Sequence, residues 1–128
     1  MAAELELEGL DALLARLEQV SVKASRVENQ ALKAAAEPVA DEMKSLVHVS
    51  SIDHTHIRDD IKISGVKSKD GVKYIEVGPG KATNWRAKFL EWGTDKMQAE
   101  PFVQPAYEHK IQDALEVMKQ AIREALGL

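Results

Sequence analysis

Two histidines, two residues apart, are the strongest candidates for chemistry in this 128-residue sequence. His54 and His56 lie in the stretch "DHTHIRDD", beside Asp53, Asp59 and Asp60. In an extended segment both imidazoles project to one side, as some metal-dependent hydrolases require, but a catalytic zinc needs a third protein ligand and usually a general base. A polar loop between a helix and a hairpin explains the same residues. A small hydrolase is therefore the alternative hypothesis, and no metal ligand is assigned.

Two further stretches bear on catalysis. The stretch "VGPGKAT" lacks the spacing of a phosphate-binding loop. Ile75, five residues before Gly80, stands where the first glycine is needed, and Ala82 follows the lysine where a hydroxyl is needed, so no nucleotide cofactor is predicted. Glu91 is the only acid set among large apolar residues. A buried general acid is one interpretation, but a carboxylate that accepts hydrogen bonds from nearby backbone amides is favoured. We assign no catalytic residue and no cofactor.

The composition is that of one globular domain spanning residues 1–128. The chain is 45% hydrophobic and 30% charged, within the range of folded proteins. It contains no cysteine, which excludes a disulfide framework, a thiol nucleophile and cysteine-ligated metals. No apolar run approaches the ~20 residues that span a bilayer, and the acidic start "MAAELELEGL" does not resemble a secretory signal. We expect cytoplasmic synthesis and no membrane partner.

The net charge of −4 is unevenly distributed. Residues 1–61 carry −6, residues 62–96 carry +4 and residues 97–128 carry −2. The basic residues of the middle part are Lys62, Lys67, Lys69, Lys73, Lys81, Arg86, Lys88 and Lys96. They indicate either a surface for nucleic acid or an acidic partner, or the solvated face of a small sheet. A dedicated nucleic-acid-binding module is disfavoured by the overall charge and by the lack of a recognition motif.

Hydrophobic periodicity predicts two N-terminal helices. Leucines and a valine recur at helical spacing over residues 8–21, and an i, i+4 stripe that includes Val27, Val39 and Met43 predicts a longer helix over 23–47. Pro38 lies inside the second helix, where a kink or a break is expected.

The pattern then changes to strands and back to helix. Alternating residues around the Asp70-Gly71 turn predict a β-hairpin with strands near 60–67 and 72–78. "WRAKFLEW" favours a short helix that ends at Gly93, and Pro105 is suited to begin a last helix that ends near Leu126. The predicted fold is α+β, with a small, mainly antiparallel sheet packed by the two N-terminal helices and the long C-terminal helix.

The stretch "AKFLEWGTDKMQAEPFVQPAYEH" resembles the signature of the neck and tail-completion (head–tail joining) protein family of long-tailed bacteriophages and prophages. The matching positions are Phe89, Glu91, Trp92, Gly93, Thr94, Ala99, Pro101, Phe102, Pro105 and Ala106. The order of the predicted elements also fits over nearly the whole chain. The loop after the second helix departs from the family pattern, because His48 and His56 replace a proline and a glycine.

The resemblance implies a structural virion protein without enzymatic activity, made in the bacterial host. Members form oligomeric rings, which implies a sixfold ring here, at the head–tail interface or the end of the tail tube. The implied partners are further copies of the chain and neighbouring head-connector or tail-tube proteins.

The same resemblance suggests roles for the clustered apolar residues and for three lysines. Phe89 and Phe102 are expected to fill the gap between hairpin and last helix. Trp92, Met97 and, as a further candidate, Phe102 are the predicted interface residues. Lys67, Lys69 and Lys73 are predicted to face a partner or the lumen of the ring, where they would make transient, non-specific DNA contacts.

Overall fold

The computed structural model describes residues 3–6 and 23–127. The helix predicted over 8–21 lies outside the described residues. Within them, three helices and a four-stranded antiparallel sheet confirm the α+β class. None of the described helices combines the length and the apolar character that crossing a membrane requires.

Two helices of 24 residues form the larger part of the fold: α1 spans Lys23–Leu46 and α3 spans Val103–Leu126. They pack side by side in opposite directions, since His109 near the start of α3 bonds Glu42 near the end of α1 at 3.0 Å. Pro105 is the third residue of α3 rather than the first. It is tolerated there because the first four amides of a helix have no helical acceptor.

Helix α1 continues through Pro38, so of the kink or break expected at this residue the break does not occur. Proline removes one hydrogen bond from the helix. Ala35 and Val39, on either side of it, are completely buried against the rest of the core. Packing of this apolar stripe keeps the helix continuous, because most helical stability in proteins comes from such burial.

The sheet is built around one long strand, β4, which spans Val72–Pro79. Strand β1 (Ala3–Glu6) pairs with one edge of β4, and β2 (Ile61–Ile63) and β3 (Lys67–Lys69) pair with the other edge. The strand predicted over 60–67 is therefore two shorter strands, preceded by a 3₁₀ turn over Arg58–Asp60.

A β-bulge separates β2 from β3. Ile63 lies opposite Val77 and Lys67 opposite Tyr74, so three residues on this edge face two on β4. The hydroxyl of Ser64 accepts a hydrogen bond from the backbone N–H of Glu76 at 2.9 Å. Alternation alone did not reveal the extra residue.

The tight turn predicted between β3 and β4 is confirmed. Asp70 and Gly71 have φ of 52° and 80°, the pair of positive values that a type I′ hairpin turn requires.

The core lies between one face of β4 and the two long helices. Ile75 and Val77 of β4 are completely buried in one core cluster with Leu32 and Met43 of α1. Phe102, immediately before α3, is completely buried in this core, as expected. Its side chain has no exposed surface, so its candidacy as an interface residue is corrected.

Lys73 also lies on the inner face of β4, so its prediction as a lumen residue is corrected. Its ammonium group is 2.6 Å from the carboxylate of Glu28 on α1 and donates to Ser25 Oγ at 2.9 Å and Asn29 Oδ1 at 3.2 Å. The Glu28 side chain is 3% exposed, and its Oε1 has no partner among the described residues. Lys73 therefore holds the hairpin against the start of α1.

Lys73→Ala should lower the free energy of unfolding by about 3–5 kcal/mol, because it leaves a buried carboxylate without its counter-charge. Urea unfolding of the purified chain measures this, and Lys69→Ala at the exposed end of β3 should change it by no more than ~0.5 kcal/mol. The double variant Glu28→Leu/Lys73→Met should recover most of the loss. A double variant as unstable as Lys73→Ala would contradict the ion-pair account.

Candidate interface formed by helix α2 and the histidine loop

Three of the six aromatic residues of the chain lie exposed on one side of a short helix. This helix, α2, spans Asn84–Trp92 and ends at Gly93, which confirms the predicted helix. Trp85, Phe89 and Trp92 are 61%, 47% and 69% exposed. Their i, i+4, i+7 spacing places them on one face, which we call the aromatic face.

Phe89 was expected in the core, and the structure corrects this. Ala87 is completely buried and Leu90 packs against the core. Ala87 and Leu90 are three residues apart and therefore lie on the core-facing side of α2. Phe89, two residues after Ala87, is directed to the opposite side of the helix. The sequence does not indicate which side of α2 is covered by the rest of the molecule, so it could not show that Phe89 is exposed.

A pocket of about 240 Å³ adjoins the aromatic face, between α2 and the loop that follows α1. We call it the histidine pocket. Its lining residues are His48, Ser50, Ile52, His54, His56, Ile57, Arg86, Phe89, Leu90 and Met97. Two of these, Ile52 and Met97, are 66% and 39% exposed and extend the apolar surface beyond α2. The pocket and the aromatic face share Phe89 and form one continuous surface.

The polar groups of the pocket are basic or neutral. The ring centroids of His54 and His56 are 5.2 Å apart, and the Arg86 guanidinium donates to the backbone carbonyl of Thr55. Desolvation, together with the charges of Arg86 and His56, lowers the pKa of His54, against a smaller opposing effect of Asp53. These effects favour the neutral form of the His54 imidazole.

The histidines are brought together, but not with the further ligands that a hydrolase would need. His48 joins them in the pocket lining, whereas His109 lies on α3 and bonds Glu42. Within residues 3–6 and 23–127, no group of three or more His, Asp or Glu side chains is arranged to hold a metal ion.

Asp60 connects the histidine loop to the start of α2, a role that the sequence did not reveal. Its Oδ2 accepts hydrogen bonds from the hydroxyl of Thr83 at 2.8 Å and from the Thr83 backbone N–H at 3.2 Å. Thr83 is the residue immediately before α2. Gly80 leaves the space for this contact, since a Cβ there would lie 2.8 Å from Asp60 Oδ1. Both Asp60 and Thr83 are buried.

This contact makes the stability of the site depend on pH. Burial raises the pKa of Asp60, but the hydrogen bonds from Thr83 and the charge of Lys62 outweigh it, so the pKa lies below its ordinary 3.8. The charged carboxylate thus stabilises the folded chain above about pH 4, and this stability is lost as the pH falls through the folded-state pKa.

The difference in unfolding free energy between the wild type and Asp60→Asn should shrink from pH 5 to pH 2 in urea titrations. A difference that is constant over this range would contradict the assignment.

Glu91 connects the end of α2 to the start of α3. Its Oε1 accepts hydrogen bonds from the backbone N–H groups of Phe102 and Val103, each at 3.0 Å. Its Oε2 accepts one from Gln104, also at 3.0 Å. These amides have no acceptor within the helix, and a negative charge is favoured at a helix N-terminus. The structural interpretation of Glu91 is thereby confirmed.

Gly93 completes the connection between the two helices. Its φ of 73° and ψ of −176° are conformations that favour glycine, and a Cβ there would lie 2.8 Å from both Ala99 N and Met97 O. The backbone then turns back, with Thr94 and Met97 bonded to each other and Glu100 N–H donating to Leu90 O at 2.7 Å. The stretch that resembles the phage family therefore contains the end of α2, a hydrogen-bonded loop and the start of α3, and it leaves Trp92 and Met97 on the surface.

Glu91→Ala should cost about 2 kcal/mol of stability, because three amides lose a charged acceptor. Glu91→Gln should cost less, since one oxygen acceptor remains. Glu100→Ala, an exposed neighbour in the same loop, should change stability by no more than ~0.5 kcal/mol. Chemical denaturation measures all three, and equal effects of Glu91→Ala and Glu100→Ala would contradict the capping role.

The three lysines predicted to face a partner or the lumen do not lie on one face of the sheet. Lys67 and Lys69 lie opposite Tyr74 and Val72, on the face of the sheet away from Lys73. Lys67 is 3.2 Å from the carboxylate of Glu76, and Lys69 is exposed.

The chain matches the family model described as "Bacteriophage HK97-gp10, putative tail-component" over residues 11–93, about two thirds of its length. The match includes α1, the hairpin and the whole of α2. The comparison with curated proteins and the comparison with solved structures each found no match. The chain belongs to the HK97-gp10-like family of bacteriophage tail components.

Proposed function

We propose that the chain is a structural component of the virion that self-associates into a ring, sixfold in the assembled particle. In this proposal the ring lies at the head–tail interface or the end of the tail tube and joins neighbouring connector or tail-tube proteins. The aromatic face is the observation that carries the proposal. The family supports the coarser role of tail component.

An exposed aromatic face suits a protein that acts by binding other proteins. Large contiguous apolar surfaces are uncommon on monomeric proteins and mark interaction sites, and tryptophan is among the residues that most often dominate interface energetics. Trp85 and Trp92 are the only tryptophans of the chain, and both lie on this face. The side chains thus supply contact area rather than core packing.

Hydrogen bonds anchor the same region at both ends. Asp60 fixes the start of α2 through Thr83, and Glu91 fixes its end through the first turn of α3. Ordering such a surface before binding reduces the entropy that association must overcome. This arrangement fits a structural role better than hydrolysis, for which the described residues offer only the paired histidines and no third ligand.

Transient contact with passing DNA is a second part of the proposal, now restricted to Lys67 and Lys69. Both lie on exposed strand β3 at the end of the hairpin. Their small number suits weak, non-specific and salt-sensitive contact that lets DNA slide.

Trp92→Ala should leave folding intact and prevent the joining of heads and tails, because it removes the most exposed residue of the aromatic face. Complementation of a phage or prophage that lacks the gene, scored by plaque counts and by electron microscopy of free heads and tails, measures this. Circular dichroism and the unfolding midpoint provide the folding control. Lys33→Ala, on the exposed side of α1, is the matched surface variant and should assemble normally. Normal assembly of a correctly folded Trp92→Ala protein would overturn the proposal.

A further inference from the structure

We infer that the partner of the aromatic face is an acidic protein surface that presents an aliphatic side chain flanked by carboxylates. The inference deepens the proposed function and rests on it, because it gives the chemistry of the neighbouring protein that meets α2 in the virion.

The basic residues in the middle of the chain fall into two groups. Three of the four lysines of the sheet pair with carboxylates of the chain itself, namely Lys62 with Asp60, Lys67 with Glu76 and Lys73 with Glu28. The second group surrounds α2 and consists of Lys81, Arg86, Lys88 and Lys96. None of these four forms an ion pair with a carboxylate of the described residues. The positive charge around α2 is therefore not neutralised by ion pairs within the part of the chain that the structure describes.

Two of these cations lie on either side of the aromatic face. Since successive helical residues are rotated by about 100°, Arg86 and Lys88 project to opposite flanks of the aromatic stripe. Arg86 lies on the flank that adjoins the histidine pocket, which it lines. Lys88 is exposed on the other flank, three residues after Trp85 and four before Trp92. A partner that covers the aromatic face therefore meets a positive charge on each side of it.

Acidic residues offset little of this charge. Residues 81–97 contain four basic and two acidic side chains. Of the two acids, Glu91 accepts hydrogen bonds from the start of α3, so only Asp95 is exposed. Each ionisable residue that lines the histidine pocket is a histidine or an arginine. Complementary potentials favour association and like charges oppose it, so the surface selects a partner that is negatively charged.

The histidine pocket gives the partner its apolar part. The apolar residues of its lining are Ile52, Ile57, Phe89, Leu90 and Met97. Its volume of about 240 Å³ is below the ~300–1,000 Å³ of typical small-molecule sites. An aliphatic side chain of a protein partner suits this space, whereas a nucleic acid would mainly offer phosphates to the basic residues. A protein is therefore the partner that uses both the pocket and its basic rim.

The test is the joining of heads and tails in vitro. The purified full chain is added to a lysate of a phage or prophage that lacks the gene, and infectious particles are counted as a function of chain concentration. Lys88→Glu should raise the concentration needed for half-maximal joining about fivefold and Lys88→Gln about twofold, because each removes attraction at the rim. Lys88→Arg should match the wild type, since the charge is kept. Lys33→Glu, on the exposed side of α1, is the matched control and should change little.

Salt provides a second measurement. Higher ionic strength should raise the concentration that the wild type needs more than the concentration that Lys88→Glu needs, because salt screens the attraction that the variant has lost.

A Lys88→Glu protein that folds normally by circular dichroism and joins heads and tails at the wild-type concentration would overturn the inference. Equal loss of joining in Lys88→Arg and Lys88→Glu would overturn it as well, because side-chain shape rather than charge would then explain the contact. Single-stranded DNA that shifts the tryptophan emission of the wild type but not of Lys88→Glu, without a joining defect in the variant, would indicate nucleic acid as the partner instead. If Trp92→Ala prevents joining while Lys88→Glu does not, the proposed function stands and only the acidic partner is refuted.

Discussion

Three amides at the start of α3 have no acceptor within the helix, and one carboxylate accepts all three. Glu91 lies at the end of α2, so this contact determines where the short helix lies relative to the long helices that form the core. The intervening loop can close because Gly93 adopts a conformation that a side chain would prevent. With α2 fixed in this way, Ala87 and Leu90 face inward and the aromatic side chains remain outside. The arrangement of the candidate interface follows from this cap.

A second polar contact fixes the other end of the same surface. The buried Asp60 carboxylate binds Thr83 at the start of α2 and so positions the histidine loop beside Phe89. The buried pair of Lys73 and Glu28 performs a similar task at the opposite end of the molecule, where it holds the hairpin to α1. Buried polar groups that are paired in this way position the apolar elements, at a desolvation cost that the core offsets.

Much of the fold could be predicted from local patterns, because long amphipathic helices and a tight turn have strong signals. Helix α1, the Asp70-Gly71 turn and the short helix ending at Gly93 are of this kind. The bulge at Ser64 depends on the register of β2 and β3 against β4, and the inward direction of Lys73 depends on which face of the sheet α1 covers. Alternation of apolar and polar residues specifies neither of these. For the site, the capping role of Glu91 was predictable from its apolar surroundings. The exposure of Phe89 and the role of Asp60 were not, because both depend on contacts between segments distant in sequence.

In the assembled particle, the aromatic face of α2 should be covered by another subunit or a neighbouring protein. Since the chain has no cysteine, a single cysteine can replace Lys88 between the two tryptophans, and another can replace Lys33 as a control. The measurement is the rate of maleimide labelling in the free chain and in assembled virions. Our account predicts that labelling of Lys88→Cys slows at least about tenfold on assembly while that of Lys33→Cys changes little, as expected for a residue at a buried contact. Equal labelling of Lys88→Cys in the free chain and in the virion would contradict it.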